Sequence, residues 1–336
     1  MSQVSLAILG CGGMTGTHAR GLTELSDTLQ IKATVDIIKE RAEKAAEFFP
    51  GAKAATDYRD VLDDVEAVLI VLPHHLHHPV AKECLEAGKH VLLEKPMANS
   101  EEECLDLIET STRVDRVLMI AYCMRFHPLV VRMKQLLDER AFGDLFQLSI
   151  WTEQLTKYPA DHWRNIYPTG GGQFFSHGCH YIDLMLWILG KPIVGSHIGT
   201  NFGTPWIKRE GTSNVAIEFE GGKIGYHFGT WGARGSRLRN AFHAHCTEGM
   251  LEIDPARRKL ILHKGGKETL LMETDPGKHT QNEMIHFLEC IHTGRRPLTD
   301  GPSSLQGLRV IWRLYEAEQN NVMADLRDLS LDNIKL

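Results

Sequence analysis

No Cys-x-x-Cys pair occurs in this chain, and its seven cysteines (Cys11, Cys84, Cys104, Cys123, Cys179, Cys246 and Cys290) are odd in number and scattered. That pattern argues against a disulfide framework and a structural zinc site, and favours a reduced, cytoplasmic setting. No apolar stretch approaches the roughly 18 residues that a membrane-spanning helix requires, and no leader precedes the first strand-like run, so no membrane is expected as a partner. An excess of basic residues is also missing. With a net charge of −6 and a pI near 6.3, the chain shows no footprint for nucleic acid. Internal repeats and low-complexity segments are absent too. Specificity has to come from a pocket for a small molecule.

What is present reads as a two-domain α/β protein. The chain has 336 residues, 43% of them apolar and 24% charged, which is ordinary soluble composition in a length beyond one comfortable core. Residues 4–9 form a short apolar run, followed by Gly10-Cys-Gly-Gly-Met-Thr-Gly and a helical stretch to about Leu25. Leu29, Ile31, Ala33 and Val35 alternate as a second strand that ends on Asp36; residues 67–71 form a third, 79–87 a helix stopped by Gly88, and 91–93 begin another strand. Strand and helix alternate in this way for about 120 residues, the pattern of a doubly wound parallel sheet of Rossmann type over 1–123. From 124 to 336 strand-like runs cluster at 145–152, 193–200, 215–219, 223–230, 241–246, 250–253 and 260–263, with a hairpin signal at Glu220-Gly-Gly. A helix over 177–189 and two more at 281–291 and 303–318 complete an α+β domain with a large, open, mostly antiparallel sheet. The 303–318 helix is a candidate to pack back on the first domain. One face of such a sheet needs cover, so a homodimer or homotetramer is expected.

The chemistry-bearing residues fall into three groups. Gly10-x-Gly12, with Gly13 and Met14 after it, sits between a strand and a helix, where glycines let backbone approach a pyrophosphate and the helix start offers free N–H groups. The third glycine of G-x-G-x-x-G is replaced by Thr15, with Gly16 one residue late. Asp36 suits the two ribose hydroxyls of NAD and would repel a 2′-phosphate, although Lys39 nearby leaves NADP open. Leu72, Pro73, His74 and His77 follow the third strand and line the same cleft. His74, His75, His77 and His78 also invite a metal, but four histidines at a strand tip mostly diverge, and no metal is expected. The second group is Glu94-Lys95-Pro96: it ends a buried strand where open α/β sheets carry their chemistry, and a partly desolvated lysine there suits work on a hydroxyl. The third is Gly170-Gly-Gly followed by Ser176-His177-Gly178-Cys179-His180 and Asp183. In a helix from Ser176, residues 176, 180 and 183 share one face, and His180 is then placed as a general base.

Taken in order, Gly10-x-Gly12 with His18, Leu72-Pro73-His74-x-x-His77, Ala87-Gly-Lys-His-Val-Leu-Leu-Glu-Lys-Pro96, Arg125-Phe126-x-Pro128, Trp163-Arg164 and the triple glycine with His180-x-x-Asp183 resemble one family. It is the glucose–fructose oxidoreductase, inositol dehydrogenase and rhizopine-catabolism (Gfo/Idh/MocA) family of NAD(P)-dependent sugar and cyclitol dehydrogenases, and the likeness runs from residue 3 to about 320. The resemblance implies a Rossmann domain, a second domain whose open sheet mediates oligomers, catalytic Lys95 and His180, and Asp183 as a substrate contact. Ser176, His177, Arg125, Trp163, Arg164 and Tyr167 are further candidates for substrate contact. This chain departs from the family at Ser176, where an Asp is usual, and at His74, where an Asn is usual.

The resulting expectation is an NAD(P)-dependent dehydrogenase that moves a hydride between a secondary alcohol of a polyhydroxylated substrate and nicotinamide. Two other readings use the same residues. One is an enzyme that oxidises a sugar transiently with bound NAD, so that elimination cleaves a glycosidic bond. The other is a non-catalytic sensor. Retention of both Lys95 and His180 argues against the sensor, and net cofactor reduction separates the other two.

Overall fold

A computed structural model describes residues 2–159, 161–166 and 170–329. The chain divides into two compact units, the first of residues up to Phe126 with Lys278–Leu305, the second of His127–Gly277 with the chain from Gln306.

The first unit is built on a six-stranded parallel sheet of β1 (Val4–Leu9), β2 (Leu29–Val35), β3 (Lys53–Ala55), β4 (Ala67–Ile70), β5 (His90–Glu94) and β6 (Leu118–Ala121), in the order β3-β2-β1-β4-β5-β6. Its strands are Val/Leu/Ile runs because both faces are covered: β4 and the Val91–Leu93 core of β5 are fully buried. The covering helices are α1 (Thr15–Leu22), α2 (Lys39–Ala46), α3 (His77–Glu86) and α4 (Glu101–Arg113). The order reverses at β1 and β4, so the carboxyl ends of these two strands flank the switch point where such sheets take ligands.

The pattern reading kept everything after residue 123 in the second domain, and here the units differ from it. The helix Thr280–Thr293 returns to the first unit, because its apolar stripe of Met284, Phe287 and Leu288 completes the core formed by Leu6, Ile8, Ala19, Leu22 and Met119. The strands β3 and β6, and the helices α2 and α4, are additions to the elements read from the sequence.

The second unit holds a nine-stranded, mostly antiparallel sheet. Following α5 (Pro128–Asp138), its strands are β7 (Leu145–Glu153), β8 (Pro192–Thr200), β9 (Thr212–Phe219), β10 (Lys223–Thr230), β11 (Asn240–Cys246), β12 (Gly249–Asp254), β13 (Lys259–Lys264), β14 (Lys267–Glu273) and β15 (Ala324–Asp325), in the order β14-β13-β12-β11-β7-β10-β9-β8-β15. Among the described strands of this sheet, β7 and β10 alone pair in parallel. The helix α6 (Cys179–Leu189) lies over the middle of this sheet, with Met185 and Leu189 against the bare backbone of Gly225. With the Thr280–Thr293 helix numbered α7, the last helix, α8 (Gly301–Gln319), runs from the first unit into the second, to which it belongs from Gln306 on. The other face of the sheet stays open. Trp151 packs there against Tyr226 and His243 at 6.1 and 4.9 Å between ring centroids, with Ile198 and Ile224 exposed beside them.

Candidate active site

In the first unit the phosphate loop is shaped by a single glycine. Gly10 has φ +97°, and a Cβ there would lie 2.3 Å from the Val71 carbonyl oxygen, so no other residue fits where β1 and β4 come together. Gly12 and Gly13, in contrast, have open space where a side chain would stand. Thr15, in place of the usual third glycine, turns its hydroxyl inward to donate to the Gly10 carbonyl at 2.7 Å. α1 begins there without a side-chain cap, and its Thr15 and Thr17 N–H groups donate to the Gly12 and Met14 carbonyls at 3.2 and 2.9 Å. Asp36 closes the loop from β2, accepting from Cys11 N–H through one carboxylate oxygen and from Ile38 N–H through the other, both at 2.9 Å. Lys39 points away to Glu43 at 3.4 Å and is largely exposed. An open glycine pair, a helix start without a side-chain cap and a fixed carboxylate fit a dinucleotide.

The histidines after β4 do separate work. His77 is buried, with Nδ1 2.7 Å from the Pro96 carbonyl oxygen and Nε2 2.9 Å from that of Leu72, so it ties the β4 exit to the Lys-Pro segment. Burial pushes its pKa below the ordinary histidine value against these two carbonyls. His74 is buried beside it at 5.5 Å between ring centroids, whereas His78 reaches Asp106 at 2.6 Å. Among the described residues no group of His, Cys, Asp or Glu is arranged to hold a metal ion.

Lys95 is half-buried at the end of β5, and the Lys95–Pro96 peptide is cis. Behind it lies a buried charged layer that the sequence did not announce. Burial would raise the Glu94 carboxyl, but His18, 2.8 Å away, together with the charges of Lys95 and Lys278, holds it down at about 2. On α7, Glu283 is fully buried with neither carboxyl oxygen hydrogen-bonded, and burial and the Glu94 charge push it well above the ordinary carboxyl value. One acid is thus held ionised while its neighbour is pushed toward the neutral form. Glu283 and Lys278 lie almost 190 residues beyond Glu94, so only the return of α7 reveals the cluster.

Arg125 sits in the 3-10 turn Cys123–Phe126, buried, and donates to the Leu298 carbonyl at 3.1 Å. That bond fixes the segment 278–305 to its own unit, a packing role beside the expected substrate contact.

In the second unit Ser176 and His177 lie in a π-turn, Phe174–Gly178, and His180 and Asp183 follow in α6. The wider turn replaces the α spacing between Ser176 and His180 that a continuous helix would give, while His180 and Asp183 keep theirs. All three of Ser176, His180 and Asp183 are buried. Tyr181 shares a 3.4 Å hydrogen bond with His177 Nε2 and stacks on His227 at 4.8 Å. His227 is itself buried against Thr152 Oγ1 at 3.1 Å, and burial depresses it to about 3, so a neutral ring backs Tyr181. Trp163 and Arg164 form a 3-10 turn in which the guanidinium covers the Trp163 ring at 4.5 Å and the Tyr158 ring at 5.2 Å. The Arg164 carbonyl stands where a Cβ on Gly171 would come within 2.7 Å, which brings this turn to the triple glycine. Tyr167 lies outside the described residues.

The family described as an oxidoreductase family with an NAD-binding Rossmann fold matches residues 4–122, and the GFO/IDH/MocA C-terminal domain matches residues 130–252. Inositol 2-dehydrogenase 2 of Saccharopolyspora erythraea is 31% identical over 226 residues, 66% of this chain and 65% of that protein. The NAD-dependent scyllo-inositol 2-dehydrogenase of Bacillus subtilis is 26% identical over 310 residues, 88% of either chain. In fold, the crystal structure of the WlbA dehydrogenase from Bordetella pertussis, in complex with NADH and UDP-GlcNAcA, superposes with a TM-score of 0.83 at 20% identity, covering 97% of this chain and 98% of that one.

Proposed function

This chain belongs to the GFO/IDH/MocA oxidoreductase family, and we propose that it is an NAD-dependent dehydrogenase of a secondary alcohol in a cyclitol or sugar. The observation that carries this reading is Lys95 at the carboxyl end of β5, backed by the buried, ionised Glu94. A lysine backed by a buried carboxylate is suited to hold a hydroxyl oxygen and stabilise negative charge developing there. His180, by resemblance to the family, takes the hydroxyl proton, and Asp183 holds a neighbouring hydroxyl. NAD would be held by Gly10, Gly12, Gly13 and Met14 at the phosphates, by Asp36 at the ribose, and by Leu72, Pro73, His74, His77 and Glu94 toward its reactive end, and it supplies the hydride acceptor. The names of the inositol dehydrogenase relatives favour a cyclitol as the first substrate to try.

A spectrophotometric screen of inositols, aldoses and sugar acids tests the reading. Net NADH formation with at least one of them is expected; turnover of a glycoside without net reduction would replace it. The same assay tests Asp36. Its carboxylate would meet a 2′-phosphate, so NAD is expected to be preferred, and Asp36→Ser should erase the preference at a cost of about tenfold or more in NAD affinity, the scale of a lost hydrogen bond to a charged group. Equal use of NADP by the native protein would overturn the assignment. The open sheet face with Trp151, Tyr226, Ile198 and Ile224 supports self-association into a homodimer or homotetramer. Light scattering at micromolar concentration should report an oligomer, and a clean monomer would refute it.

A further inference from the structure

The turn that leads into the His180 helix has no cap of its own. Gln173, its N-cap residue, is already helical at φ −67° and ψ −42° and makes no side-chain bond to the turn. The first N–H groups of a helix have no partners within it, and buried ones must find them elsewhere. Here two distant side chains take them. Phe174 N–H donates to Glu210 Oε1 at 2.9 Å, Phe175 N–H donates to the Tyr315 oxygen at 3.1 Å, and Tyr315 O–H donates to the same Glu210 Oε1 at 2.8 Å. Glu210 lies between β8 and β9 and Tyr315 on α8, and both are buried.

The surroundings are built for this contact. Gly172 has φ +98°, and a Cβ there would sit 2.6 Å from Glu210 Oε1, so the last glycine of the triple run is the one residue that lets the carboxylate in. Gln173 N–H donates to the Glu210 carbonyl at 2.7 Å, while its side chain accepts from Ser213 Oγ at 2.6 Å. The Phe174 ring stacks on His197 at 4.6 Å, and His197 Nδ1 lies 2.7 Å from Glu318, one turn along α8 from Tyr315. Arg209 covers the Tyr315 ring at 3.6 Å and faces Glu210 Oε2 at 3.5 Å. Burial raises the Glu210 carboxyl to about 7, opposed by the Phe174 and Tyr315 donors and by Arg209. Either protonation state keeps Oε1 as the acceptor, since a proton fits on Oε2.

We propose that Glu210 and Tyr315 are positioning residues that cap the 174–178 turn and thereby set where Ser176, His177 and His180 stand. The consequence for turnover rests on the dehydrogenase reading; the cap itself does not.

Amide hydrogen exchange of peptides covering 170–182 in the full-length protein, measured beside kcat, KM and NAD affinity, tests both parts. Glu210→Ala and Tyr315→Phe are each expected to speed exchange in that segment about tenfold and to lower kcat by a similar factor, with NAD affinity within about twofold of native. Glu210→Gln retains a carbonyl that can accept both bonds, and is expected to restore slow exchange and kcat to within about threefold of native. Native exchange rates in both disruptive variants overturn the cap, as does a Gln variant no better than Ala. Fast exchange with native kcat overturns the positioning role. If Glu210→Ala does not fold, Tyr315→Phe decides alone, because it removes one hydroxyl and no charge. A native protein that turns over none of the screened substrates defeats the dehydrogenase reading, and the exchange rates then decide the cap.

Discussion

Replacing Lys95 by Met, or His180 by Ala, is expected to lower kcat/KM by about 10²-fold or more while leaving NAD affinity near native, the scale for removing a positioned proton-transfer group. Lys95 stands at the end of a fully ordered strand, flanked by the buried Glu94 on one side and by Pro96, whose carbonyl meets His77, on the other. Its main-chain setting does not depend on the ammonium group, so the methionine variant should fold and bind cofactor. His180 is buried on α6 two residues beyond the π-turn, and the helix below it rests on apolar Ile182, Met185 and Leu189. Steady-state rates with the best substrate of the screen, paired with calorimetric NAD titration, separate loss of chemistry from loss of binding. An active His180→Ala protein would remove the general base from the mechanism. A Lys95→Met protein that no longer binds NAD would move Lys95 from the chemistry to the cofactor.

The second large effect concerns Glu94→Gln, which keeps the shape of the side chain and deletes its charge. Glu94 is held at about 2 against an ordinary value of 4.5, so in the folded state it stays ionised well below the pH at which the unfolded chain takes up the proton. Its contribution to stability is therefore complete above pH 4.5 and is lost as the pH falls from there toward about 2. The glutamine variant should be less stable than native at pH 7 by about 3 kcal/mol, the scale for removing one partner of a buried pair. It should also lose less further stability on acidification than the native protein does. The neighbour Glu283 moderates the loss, because deleting the Glu94 charge removes one of the two causes that raise its carboxyl. Urea unfolding at neutral pH and at two points below pH 4.5 reads both features. Native stability at pH 7 together with a native acid slope would mean that Glu94 does not carry the charge assigned to it.

The sequence by itself was enough for four of the six parallel strands, β1, β2, β4 and β5, because their apolar runs or alternation stand between helical stretches. It was also enough for Gly10, Asp36, Lys95 and His180 as candidates, since each sits at a strand end or helix start that local pattern marks. The strands of the second sheet were legible because a sheet with one face packed and one face open alternates apolar and polar residues, apart from β14 and β15, whose residues alternate weakly and lie at the sheet edges. Tertiary structure alone decided the rest. The return of α7 to the first unit, the Glu94–His18–Glu283 layer and the Glu210–Tyr315 cap join residues that lie far apart in the chain. Nothing local distinguishes such residues from surface acids and tyrosines, for a lone Glu in a helix is solvated by default. Only packing removes the water, and once it is gone each carboxyl must find a donor or keep its proton; that physical demand is decided by the fold and not by any short stretch of chain.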